Sequence, residues 1–315
     1  MATHLFMILG LLDKGVSIYR RTFGRFVLIT AIWFIPLIIG TSLLIYLSDQ
    51  LDSLGQILLT IAIVVLSLPI SMYLIGGLSR AADDAIHQRP INLGQTIAIH
   101  PLRSVGMSVF TIVYGLIVQI ISGMILFLCF CPLIFVSGIL LSFIGAASGS
   151  SVPESVTIML SIIAGVLLFG GGYLSIILSS GTSTFSMIYA LHPWATTQLR
   201  FGKAFQHSFD LVTYRFRFNL LLWAMATLVL TSAGISIAIM FGVLIPLPIY
   251  WLLDPGSDIA EAVAATAWLL GLVLVLPPIP IWMALLYQYN HTRREGADLA
   301  ERIAAWHTPP EHNPL

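Results

Sequence analysis

Two stretches of the chain alternate polar and apolar residues at helical spacing and then run into wholly apolar sequence. In FGKAFQHSFDLVTYRFRFNLLL, residues 201–222, Phe201, Ala204, Phe205, Ser208, Val212 and Phe216 form one stripe. Lys203, His207, Asp210, Thr213 and Arg217 form the opposite one. In LFMILGLLDKGVSIYRRTFGRFVLI, residues 5–29, Leu5, Ile8, Leu9, Leu12, Val16, Tyr19 and Phe23 oppose Asp13, Ser17, Arg20 and Arg21. Recurrence every three to four residues predicts an amphipathic helix in both places. A helix with one apolar face, one cationic face and an apolar helix attached to its end is expected to lie in the headgroup layer of a membrane.

Six segments contain no Asp, Glu, Lys or Arg: 26–48, 55–79, 104–153, 155–199, 218–253 and 262–292. Each exceeds the roughly 20 residues that cross a hydrocarbon core about 30 Å thick. Composition agrees. Charged residues make up 9% of the chain, against about 25% in soluble domains, and the mean hydropathy is +0.96. The expected fold class is all-α: a polytopic transmembrane bundle of about six spans with amphipathic interfacial helices on the cytoplasmic side. The first apolar segment does not read as a cleaved leader, because its apolar run is too long and no small-residue cleavage site follows.

The cationic residues set the topology. Lys14, Arg20, Arg21 and Arg25 precede the first span, and Arg80, Arg89 and Arg103 lie between the second and third. Arg200, Lys203, Arg215 and Arg217 lie between the fourth and fifth, and Arg293, Arg294 and Arg302 follow the sixth. The other three loops carry only acidic charge: Asp49 and Asp52, Glu154, then Asp254, Asp258 and Glu261. Six spans with both termini in the cytoplasm fit this partition. Eight spans, with 104–153 and 155–199 each crossing twice, keep the same parity.

Two segments exceed one crossing. Residues 104–145 would extend roughly 60 Å as a helix, and a break is expected at Pro132. Residues 218–253 carry Pro246 and Pro248 near their outer end. Pro277, Pro278 and Pro280 predict a bend in the last span. The organisation expected is one transmembrane domain, 1–303, built of three helix hairpins at about 5–80, 90–199 and 201–290. FGRFVLI in the first echoes RFRFNLL in the third. The middle lead-in, LGQTIAIHPLRSVG, is weaker, and a short tail occupies 304–315.

No Asp, Glu, Lys or Arg lies within a span, and this lack of charge argues against a proton-coupled pump. Gln119 is the most polar side chain deep in an apolar run and reads as an interhelical hydrogen-bonding group. Gly171, Ser175, Ser179 and Ser183 recur every four residues and predict a seam that lets a second helix approach. Gly115 and Gly123 flank Gln119 in a second such seam. Gly170, Gly171 and Gly172 are followed by no lysine and do not read as a phosphate loop. The eight histidines lie in or beside cytoplasmic segments without metal-ligand spacing. Asp83 and Asp84 lack further carboxylates and read as a solvated helix end. Cys129 and Cys131, two apart, point to different sides of a helix and read as apolar packing. No G-x-S-x-G motif occurs. No catalytic residue, metal or cofactor is therefore expected, and the neutral charge balance gives no basis for a nucleic-acid partner.

The basic residues supply the candidate site. Arg20, Arg21, Arg25, Arg103, Arg215, Arg217, Arg293 and Arg294 are expected to form a collar at headgroup depth. The chain has twelve Arg against two Lys. A topology signal needs only positive charge, whereas the planar guanidinium fork suits phosphate or carboxylate. The expected partners are anionic lipid headgroups at the cytoplasmic face, or other membrane protein subunits.

Three stretches carry a resemblance: SIYRRTFGRFVLI at 17–29, GKAFQHSFDLVTYRFRFNLLL at 202–222 and LLYQYNHTRREGADL at 285–299. The pattern resembles a bacterial family of stand-alone membrane proteins similar to the membrane domain fused to some glycerophosphodiester phosphodiesterases. The resemblance implies a helical membrane fold and not the hydrolysis, since nothing in this sequence supplies the soluble catalytic domain. NHTRREG, 290–296, departs from the family, which usually has an acidic residue before the arginines. The expected function is a non-enzymatic integral membrane protein of the bacterial cytoplasmic membrane: a scaffold, accessory subunit or assembly factor. The alternative is a transporter or lipid-handling protein, which a polar or amphiphile-sized cavity between the spans would favour.

Overall fold

The computed structural model describes residues 2–48, 51–98, 101–147, 153–197, 200–252, 258–294 and 296. Regular structure among the described residues is helical throughout. The tail at 304–315 lies outside them.

Helix α1, Ala2–Ser48, joins the amphipathic lead-in to the apolar stretch, with non-helical angles at Thr22 only. The Thr22 hydroxyl donates to the Ile18 carbonyl at 2.8 Å, a back-bond that bends helices. Helix α2, Ser53–Ile86, is capped by Asp52, whose carboxylate accepts from the Gly55 amide at 3.0 Å. A short helix α3, Leu93–Ile97, follows. Helix α4 then opens at Pro101 and runs to Ala147. Proline suits that first-turn position because its missing amide would have had no helical partner.

Helix α4 continues through Pro132, where a break was expected. Its 47 residues extend roughly 70 Å at about 1.5 Å per residue. The physical reason lies in the solvent. Within hydrocarbon, proline removes one backbone bond, whereas a break orphans several groups that no water can satisfy. Helix α5, Glu154–Gly165, leads through a π-helical turn, Val166–Gly170, into helix α6, Gly171–Thr196. Helix α7, Phe201–Thr213, is the second amphipathic lead-in, and helix α8, Phe216–Ile239, follows it. A second π-helical turn, Met240–Leu244, leads to Pro246 and helix α9, Leu247–Leu252, so the chain does change course at the outer prolines. Helix α10, Asp258–Val275, and helix α11, Pro278–Arg294, are separated by Leu276 and Pro277, where the bend was expected.

Two compact units make up the chain. The first comprises Met1–Ser108, Ile188–Asn219 and Leu272–Leu315, and the second Val109–Met187 and Leu220–Gly271. In the first, Phe26 and Ile29 of α1, Leu78, Ala81 and Ala82 of α2, Ile91, and Ile281, Ala284 and Leu285 of α11 form a buried core. Every residue of α11 from Ile279 to Tyr287 is buried, as in a helix surrounded by others. The indole of Trp282 donates to the Leu12 carbonyl at 3.0 Å. That contact needs Gly15, where a β-carbon would lie 2.3 Å from the Trp282 ring.

In the second unit, α4 packs on α6, with Gly171 against Leu133 and Gly172 against Phe130. Helix α6 meets α8 where Gly181 faces Thr227. Helix α10 meets α8 where Gly271 faces Ile237.

Candidate functional site

The junction of α7 and α8 lies in the first unit. Arg215, between the two helices, has φ +53, a left-handed conformation uncommon for a side chain with a β-carbon. Three observations account for it. The Arg215 guanidinium lies over the rings of Phe218 and Tyr289, at 5.0 and 5.6 Å. The Asn219 side-chain amide donates to the Tyr214 carbonyl at 2.9 Å and approaches that of Leu211 at 3.4 Å. These carbonyls end α7 and have no helical donor. The Asn219 oxygen accepts from the Asn290 amide at 2.9 Å, and the same amide donates to the Tyr189 hydroxyl at 2.9 Å. Asn219, Asn290 and Tyr189 are fully buried. One polar network thus ties the elbow to α11 and to the end of α6.

Helix α7 also docks directly on α6. The Trp194 indole donates to the Ser208 hydroxyl at 3.1 Å, and that hydroxyl donates to the Ala190 carbonyl at 2.7 Å. Ala204, Ser208 and Leu211 are buried, while Phe201 and Phe216 are about half exposed. The expected stripe is therefore rotated. Small residues face the protein because they permit close helix approach, and the bulky phenylalanines lie at the margins. Helix α1 behaves in the same way: Ile8, Leu12 and Gly15 are buried, while Leu5, Leu9, Val16 and Phe23 are exposed. Both lead-ins present protein-facing as well as outward apolar residues.

The arginines expected to form one collar divide by task. Arg103 donates to the Thr197 carbonyl. Arg80, absent from the expected site, donates to the carbonyls of Ala195 at 2.7 Å and Ala98 at 3.1 Å. Two guanidinium groups thus meet the orphan carbonyls at the negative end of α6. Arg294 pairs with Asp210 of α7 at 3.5 Å. Arg293 lies over the Tyr289 ring at 4.8 Å. Arg20, Arg21, Arg25 and Arg217 are exposed. At the end of α2, His87 meets Asp83 at 3.4 Å and Arg89 meets Asp84 at 4.0 Å. His192 is fully buried, its ring 4.7 Å from that of Tyr287, and neither ring nitrogen has a partner among the described residues.

The predicted seam lies in the second unit. Ser179 of α6 hydrogen-bonds Ser122 of α4. Ser175 and Ser183 donate along their own helix, to the carbonyls of Gly171 at 2.8 Å and Ser179 at 2.7 Å. The second seam faces the first. Gly115, Gln119 and Ser122 line one wall of an open groove of about 430 Å³, and Ser179, Ser180 and Ser183 line the other. Gln119 is exposed to this groove.

Sequence reasoning missed Asn219, Asn290, Tyr189 and Arg80. Asn219 carried a usable signal, since an amide entering an apolar span needs an internal partner. Five of the described helical stretches are long and apolar enough to cross a membrane: Ser53–Ile86, Pro101–Ile144, Glu154–Thr196, Phe216–Leu244 and Thr266–Arg294. They make the chain a polytopic, all-helical membrane protein. The first expected span, 26–48, falls in α1, where side chains beyond residue 35 lie outside the described residues. Comparison with known proteins found no matching family, no matching curated protein and no matching solved structure.

Proposed function

We propose that this chain is a non-enzymatic scaffold, accessory subunit or assembly factor of the bacterial cytoplasmic membrane. The observation that carries the reading is uneven packing. Four of the five candidate spans bury only 6% to 11% of their most apolar stretch inside the chain, and the fifth buries 65%. Helices that associate in lipid do so through tight contacts between small residues and hydrogen bonds. Four spans leave most of their most apolar stretch unburied by this chain, which offers long flanks to another membrane subunit.

The reading includes six spans with both termini cytoplasmic. Thirteen of the fourteen Lys and Arg residues, all but Arg302, are described, and every one of them falls in the first unit. That supports one basic face. It also includes membership of the family similar to the membrane domain of glycerophosphodiester phosphodiesterases, which rests on 17–29, 202–222 and 285–299.

A second reading, a transporter or lipid-handling protein, is favoured by the hydroxyl-lined groove between α4 and α6. Its volume of about 430 Å³ falls within the roughly 300–1,000 Å³ of ligand pockets. Affinity purification of the tagged chain in mild detergent separates the two. A membrane protein recovered in fixed stoichiometry is the expected result. A chain recovered alone, and competent for solute uptake in vesicles, would replace the first reading with the second.

A further inference from the structure

Between α1 and α11, within the first unit, lies an open pocket of about 430 Å³. Leu11 and Leu285 form its apolar wall, and Lys14, Gln288, Thr292 and Arg293 supply its polar groups. None of the described residues lining it is acidic. Among the described residues, ion pairs form at Arg294, Arg89 and His87, and none forms at Lys14 or Arg293. The contrast between adjacent arginines is informative. Arg294 points its charge at Asp210, whereas Arg293 has an aromatic face beneath it and no carboxylate partner among the described residues.

The Arg293 guanidinium is also held in place. It lies over the Tyr289 ring at 4.8 Å, and Tyr289 is fixed by a hydroxyl donation to the Met7 sulfur at 3.1 Å. Arg215 approaches the same ring at 5.6 Å. A guanidinium held over a ring face has part of its side-chain freedom already spent, so its donors lose less on binding. Lys14 adds a point charge from the facing helix, the Thr292 hydroxyl is a neutral donor, and Gln288 lines the pocket while its amide contacts the His87 ring at 3.2 Å. A planar fork, an ammonium and a hydroxyl donor above an apolar wall match a phosphate group carrying a greasy substituent.

We infer that Lys14, Thr292 and Arg293, with Gln288, form a binding site for a phosphate-bearing anion between α1 and α11. The site deepens the collar reading, and it rests on this chain being a membrane protein with basic residues at the lipid surface. It adds Lys14, Gln288 and Thr292, and it sets Arg294 and Arg103 apart as structural.

The test uses the full chain purified in a neutral detergent. Short-chain phosphatidylglycerol, phosphatidylcholine of the same chain length and glycerol 3-phosphate are titrated separately. Phosphatidylglycerol should bind in preference to phosphatidylcholine. Each cation near an anionic ligand contributes about fivefold in affinity, so Lys14→Gln with Arg293→Gln should weaken phosphatidylglycerol by about 25-fold. Arg294→Gln, outside the pocket, should leave it unchanged. Binding of glycerol 3-phosphate with the same loss in the double variant supports the site with a soluble phosphate as its source. Binding of the lipid alone supports a headgroup. Equal phosphatidylglycerol affinity in the double variant and the unaltered protein overturns the inference. Should the double variant not fold, salt decides on the unaltered protein. Affinity that does not fall as sodium chloride rises from about 0.05 to 0.5 M overturns it equally, because screening must weaken an ionic site at a membrane surface. This titration needs no protein partner, so it can succeed where the scaffold reading fails, and the reverse.

Discussion

Pro278 has no amide proton, so the carbonyl of Leu274, four residues earlier, loses its helical donor. Tyr19 supplies one from another helix: its hydroxyl donates to the Leu274 oxygen at 2.9 Å. Removing that hydroxyl in Tyr19→Phe should lower thermal stability in detergent, by about 1 kcal/mol. Burial pushes the Tyr19 phenol up to about 12, and the protonated form is the donor. The folded value lies above the unfolded value of about 10. The contribution is therefore complete below about pH 10 and fades as pH rises through 12. Denaturation of the two proteins from pH 7 to 12 checks this. The gap between them should be constant to pH 10 and narrow above it, and a gap that widens with pH would contradict the assignment. Gly15 is a second residue on which helix packing depends, because no side chain fits between α1 and the Trp282 ring.

At the scale of elements, close helix approach depends on small residues and shared hydroxyls. Helix α6 meets α4 through Ser179 and Ser122, and meets α8 where a β-carbon on Gly181 would lie 2.1 Å from Thr227. Ser179→Leu should separate α4 from α6, at a cost of about 1–3 kcal/mol for overpacking. Ser175 bonds within its own helix, so Ser175→Leu should cost less. Thermal unfolding in detergent ranks the two, and the opposite order would mean that Ser175, not Ser179, is the contact. The amphipathic lead-ins use the same chemistry. Ala204 and Ser208 allow α7 to sit against α6, and the Ser208 hydroxyl joins the two helices.

On the scale of the whole molecule, charge is segregated. The first unit holds every described Lys and Arg, while the second has long spans without Asp, Glu, Lys or Arg. The potential this creates is expected to hold one face at the cytoplasmic side, where juxtamembrane cations interact with anionic lipid. A reporter that is active only in the cytoplasm, fused after Leu315, should therefore be active. A periplasmic reporter at the same position that gave signal instead would invert or change the span count.

What the sequence determined by itself was whatever depends on composition and period along one chain. Charge-free runs longer than a bilayer identify spans because hydrocarbon excludes charge whatever the packing. The three- to four-residue recurrence identified both lead-in helices, and prolines in consecutive positions marked the bend before α11 for want of donors. Spacing of small residues pointed to one face of α6, on which Gly171 and Ser179 meet α4 while Ser175 and Ser183 bond within their own helix. Tertiary structure decided everything that depends on which partner is present. Pro132 stays within α4 because the surroundings, not the proline alone, set the cost of a break. Arg103 and Arg294 look like Arg293 in sequence. The first meets the carbonyl end of α6, the second meets Asp210, and the third is left facing a pocket with Lys14. Asn219 and Asn290 stand 71 residues apart and bond each other only because α8 and α11 meet at the elbow. A hydrogen bond or an ion pair is a property of two groups, and a linear pattern reports one of them at a time.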